Sequence, residues 1–123
     1  MKRESRILII THPDKCCPCM ALVVRGSRGL DKIVLHSSSR ELVQELLSDS
    51  ILGEVSYIYI DVGVDSELLK KLYEVKRFKT LQGSRGMSIV SRWLDFARHV
   101  CYALCRHSLK AGYTQFLSGY SGC

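Results

Sequence analysis

The sequence predicts an α/β sandwich of two or three layers with a partly parallel sheet, and three observations predict it. Short runs rich in β-branched residues alternate along the chain with amphipathic segments of helical period. The length, 123 residues, suits one domain and argues against two. The composition, 46% hydrophobic and 24% charged, is that of an ordinary globule. Residues 1–112 are read as a single α/β domain and residues 113–123 as a C-terminal tail. No apolar run approaches the roughly 20 residues of a membrane helix. The basic start, Met1-Lys2-Arg3-Glu4-Ser5-Arg6, precedes too short an apolar run for a signal peptide. The expectation is a cytoplasmic protein without a membrane partner.

The first strand is Arg6 to Thr11, whose Ile7-Leu8-Ile9-Ile10 reads as buried on both faces. Asp14-Lys15-Cys16-Cys17-Pro18-Cys19 follows. Pro18 suits the first turn of a helix beginning near Cys17, although Ala21 to Val24 is equally a strand by period. Gly26-Ser27-Arg28-Gly29 ends that element. A second strand runs Asp31 to His36. Ser38 and Glu41 form a capping box, and Leu42, Val43, Leu46, Leu47 and Ile51 share the apolar face of the helix behind it, which Gly53 ends. Val55 to Val62 is the third strand. Asp65 caps the next helix, with Leu68, Leu69 and Leu72 facing inward. Phe78 to Gln82 is a short strand, the second Gly-Ser-Arg-Gly (83–86) a turn, and Met87 to Val90 its returning strand. Either copy of this tetrapeptide can cradle a phosphate as well as make a turn. The last helix runs from about Ser91 to Leu109 with Trp93, Phe96, Ala97, Val100 and Leu104 buried, and Gly112 stops it.

Six cysteines are many for a reduced compartment, so redox chemistry or metal binding is favoured over a structural disulfide framework. Cys16 and Cys19 stand in a Cys-x-x-Cys spacing after a strand, where sheets of this class place their sites. A cysteine at a helix N-terminus is stabilised as thiolate by the dipole and free N–H groups. Cys16 then attacks a disulfide, Cys19 resolves it, and Lys15 adds a positive neighbour. His12 is a candidate base or ligand close by.

Cys16-Cys17-Pro18-Cys19 resembles the Cys-Gly-Pro-Cys of the thioredoxin/glutaredoxin-like superfamily. Asp61 to Leu81 is similar to that family's later helix and the strand behind it, with Lys79 standing at the family's cis-proline. The resemblance implies a thioredoxin-like fold, no cofactor, a redox-active disulfide of Cys16 and Cys19 as the catalytic pair, and a protein thiol or disulfide as partner.

A rival use of the sulfurs is metal binding. Cys101 and Cys105 lie at i, i+4 on one helix face, flanked by His99 and His107. With Cys16 and Cys19 they give four thiolates for zinc or for an iron–sulfur cluster. Charge adds a possible polyanion partner. The net charge is +6, and residues 70–123 carry ten Lys/Arg against two Asp/Glu. Lys70, Lys71, Lys76, Arg77, Lys79, Arg85 and Arg92 are the candidate nucleic-acid contacts of a small zinc module.

Overall fold

In the computed structural model, which describes residues 5–26, 28–61, 66–75, 79–80 and 83–111, strands and helices form a mixed α/β sandwich. The strands are β1 (Arg6–Thr11), β2 (Cys19–Arg25), β3 (Gly29–His36), β4 (Val55–Ile60) and β5 (Lys79–Thr80). They form one sheet in the order β3-β2-β1-β4-β5. β1 pairs antiparallel with β2 and parallel with β4, and β5 is parallel to β4. The helices are α1 (Ser39–Ser48), α2 (Ser66–Val75) and α3 (Gly83–Ala111), with a 3-10 turn at Ser50–Glu54.

Alternation of side chains along the strands sends successive residues to opposite faces, and each face is covered. Leu8, Ile10, Ala21 and Val23 meet Leu42, Val43 and Leu46 of α1, Leu52, and Leu72 of α2. Ile7, Ile9, Met20, Leu22 and Val24 meet Val90, Ala97, Cys101 and Cys105 of α3. This makes three layers and explains why β1 lacks a polar face.

Ser38 caps α1 as expected: its Oγ accepts the Glu41 N–H at 3.3 Å. The glutamate side chain does not reach back to the cap but accepts from Ser37 Oγ at 3.2 Å. Gly53 lies within the 3-10 turn, since α1 already ends at Ser48. At the β2–β3 connection Gly26 has φ +56°, a left-handed conformation suited to glycine. Trp93 Nε1 donates to the Gly26 carbonyl at 2.7 Å, tying α3 to this turn. Asp31 accepts from Arg6 at 2.6 Å and from Arg25 at 2.8 Å, joining the first three strands at the sheet end remote from the cysteine loop.

Of the two readings open for Ala21 to Val24, the strand is formed and not the helix from Cys17, because the apolar run pairs on both sides with β1 and β3. Two expectations are corrected. Residues 83–90 are neither a turn nor a strand but the first turns of α3, so the second Gly-Ser-Arg-Gly is helical. Phe96 is 37% exposed, its ring edge-on to Trp93 at 5.5 Å, and leaves the buried stripe. The expected Asp65 cap, the Gly112 stop and the tail 113–123 lie outside the described residues.

Candidate functional site: a four-cysteine centre between sheet and helix

The centre is assembled from two places in the chain. The first is the turn after β1. Asp14 folds it: the Cys17 N–H donates to the Asp14 carbonyl at 3.3 Å and the Cys16 N–H to its carboxylate at 3.4 Å. His12 Nε2 donates to the Cys17 carbonyl at 2.9 Å, so that nitrogen carries its proton. His12 therefore braces the turn. The second place is α3, where the i, i+4 spacing puts Cys101 and Cys105 on the face against the sheet.

The turn and the helix are joined twice. Cys16 is disulfide-bonded to Cys105 with Cα atoms 5.4 Å apart, and Cys17 to Cys101 at 5.2 Å. Both separations are usual for a disulfide. Cys17, Cys101 and Cys105 are buried, whereas Cys16 is half-buried at the edge of the centre. The Sγ atoms of Cys16, Cys101 and Cys105 lie within 4.8 Å of one another.

The expected Cys16–Cys19 pair is not formed. Cys19 begins β2 and packs fully buried on the opposite face of the sheet, among the residues under α1. It is itself disulfide-bonded, through neither of the two pairs above. The expected helix dipole at Cys16 goes with the missing helix: a strand follows, and Asp14 is the charged group hydrogen-bonded at the turn. Of the four expected metal ligands, Cys16, Cys101 and Cys105 come together and Cys19 does not. Cys17, the spare residue of the Cys-x-x-Cys spacing, is the sulfur that this spacing does not single out. The signal for it was the matching pair, Cys16-Cys17 opposite Cys101-x-x-x-Cys105.

The expected basic set does not form one patch among the described residues. Lys70 and Lys71 are exposed on α2, over one face of the sheet, and Arg92 is exposed on α3, over the other. Lys76 and Arg77 and the side chains of Lys79, Arg85 and His107 lie outside the described part. The exposed cations beside Arg92 are Arg98 and Arg106 of the same helix. Arg98 pairs with Asp95 at 2.7 Å, and the Arg106 guanidinium lies over the Tyr102 ring at 5.6 Å. His99 is exposed on this helix and bonded to the Asp95 carbonyl at 2.7 Å.

No described helix is long and apolar enough to cross a membrane. Compared with protein-family models, curated proteins and solved structures, the chain matches none.

Proposed function

We propose that the protein is a thiol–disulfide oxidoreductase that works through Cys16 and Cys105. The carrying observation is the half-buried Cys16 at the rim of an otherwise buried disulfide centre. A disulfide exchanges only where a thiolate can reach a sulfur along the bond axis, and access separates the two bonds here. Exchange is the chemistry that the thioredoxin resemblance implies, with Cys105 in place of Cys19 as the partner.

The step balances as follows. A thiolate of a dithiol substrate attacks Cys16 Sγ; the substrate–Cys16 bond forms, the Cys16–Cys105 bond breaks, and Cys105 leaves as thiolate and takes a proton. The second substrate thiolate attacks the substrate sulfur of the mixed disulfide and releases Cys16. The substrate is oxidised and the protein reduced by two electrons. Run in reverse, the reduced pair opens a substrate disulfide. During this two-electron cycle the Cys17–Cys101 bond holds α3 against the turn.

Insulin reduction in the presence of dithiothreitol tests this. The Cys16→Ser/Cys105→Ser double variant should lose the activity, and Cys17→Ala/Cys101→Ala should keep it if circular dichroism shows it folded. Undiminished activity in the first variant would overturn the proposal.

A second reading, a polyanion-binding module, is favoured by one observation: Arg92, Arg98 and Arg106 are exposed along α3 beside Tyr102, which is 65% exposed. Guanidinium groups contact phosphates, and an exposed ring gives a base a surface to stack on. A gel shift at low salt checks it; no retention of nucleic acid would exclude it.

A further inference from the structure

The two disulfides leave an unusual residue behind when they open: four thiols in one small buried space. We infer that the reduced centre is a binding site for a thiophilic divalent cation of the zinc class, held by Cys16, Cys101 and Cys105 with Cys17 as fourth ligand. This inference rests on the reading that the centre undergoes thiol–disulfide exchange.

Three observations carry it. The Sγ atoms of Cys16, Cys101 and Cys105 already lie within 4.8 Å of one another. A tetrahedral zinc with bonds of about 2.3 Å spaces its sulfurs about 3.8 Å apart, so the Cys16 and Cys105 sulfurs part by about 2 Å when their bond opens, while Cys101 moves by about 1 Å at most. Cys17 Sγ is bonded to Cys101 but lies outside that set of three, and it swings in as the fourth ligand once its bond opens. The second observation is the scaffold. Two ligands come from consecutive helical turns and two from a turn fixed by Asp14 and His12, so few torsions must be frozen on binding. His12 holds the carbonyl of a ligand residue, the kind of outer contact that orients first ligands. The third is burial. Cys17 is fully buried, Cys101 3% exposed and Cys105 9% exposed. Unpaired thiolates are costly there, and a divalent cation neutralises half of the charge of four. A closed, four-sulfur, buried arrangement is that of a structural ion.

The chemistry balances. Two dithiol molecules deliver four electrons and four protons, opening both disulfides to four thiols and leaving as two cyclic disulfides. The cation then displaces the thiol protons as the ligands bind as thiolates. A disulfide oxidant reverses the order: it withdraws the sulfurs in pairs and the cation is released. The centre thus ties α3 to the sheet in both redox states.

The test is anaerobic titration of the whole chain with cobalt(II) after reduction by a phosphine, with free thiols counted first. The expected result is one cobalt per chain, with the visible bands of tetrahedral cobalt and a sulfur-to-cobalt charge-transfer band that zinc abolishes. Cys101→Ser and Cys105→Ser should each weaken cobalt binding at least tenfold. Should these variants fail to fold, cadmium-113 resonance on the unchanged chain decides instead: a shift in the four-thiolate range is expected. Thiols that open but take up only octahedral cobalt, or a cadmium shift typical of oxygen ligands, would overturn the metal site and leave the exchange reading standing. Disulfides that resist the phosphine would overturn both.

Discussion

Cys17 and Cys19 are two residues apart, a spacing that in a continuous strand would put both on one face. They serve opposite faces because the strand begins only at Cys19. The Asp14–Cys17 turn and Pro18 interrupt the alternation before it and rotate Cys17 towards α3. This single change of direction decides which sulfurs meet. The same scale offers a clean test of backbone strain at Gly26. A Cβ there would meet nothing within 4 Å, so Gly26→Ala adds no clash, only the cost of a left-handed alanine. That cost is about 1–2 kcal/mol, and it should appear in urea denaturation as a lower midpoint with unchanged slope. Gly29→Ala, equally open and without positive φ, should stay within about 0.5 kcal/mol. Equal effects at both positions would contradict the assignment of strain to Gly26.

At the level of elements, α3 is held to the sheet by two bonds that close nearly the same loop, with sequence separations of 89 and 84. In the chain-entropy picture the first such bond contributes about 4–5 kcal/mol. Once it exists, the second closes only a small ring and contributes about 2 kcal/mol. Removing either pair as a double alanine variant should therefore cost about 2 kcal/mol beyond lost sulfur packing. Removing both should cost about 6–7 kcal/mol, comparable with the whole stability of a small domain. Denaturant curves of the two double variants and the quadruple one check this. Additive costs would contradict the shared loop. Much of this layer was legible in the sequence. β1, β3, β4 and α1 follow from β-branched runs and the Ser38 capping box, and the i, i+4 spacing placed Cys101 and Cys105 on one face. β2 was ambiguous because a short apolar run buried on both faces has no period to read. The start of α3 was hidden because two glycines in 83–86 signal a turn, a local preference overridden by the helix docking on the sheet through Val90 and Ala97. The pairing of the turn with α3 was not legible, since it depends on which face each element covers, a long-range fact.

Across the whole molecule, charge and sulfur chemistry lie on opposite faces of α3, the arginines outward and Cys101 and Cys105 against the sheet. With α2 and α3 over opposite faces, the described part of α3 offers three exposed arginines, one of them paired with Asp95. If this helix binds nucleic acid alone, log K against log salt should fall with a slope of about −2 to −3 on duplex DNA. A slope near −6 would mean that cations of both helical layers engage one ligand. The account as a whole turns on Cys16–Cys105 being the bond that opens first. Stepwise reduction with limiting dithiol, trapping of freed thiols by alkylation and mass spectrometry of the digest test that most directly. The account predicts that Cys16 and Cys105 become labelled together first, while Cys17 and Cys101 label only under excess reductant. Joint early labelling of Cys16 and Cys19, or release of Cys17 and Cys101 ahead of Cys16, would contradict it.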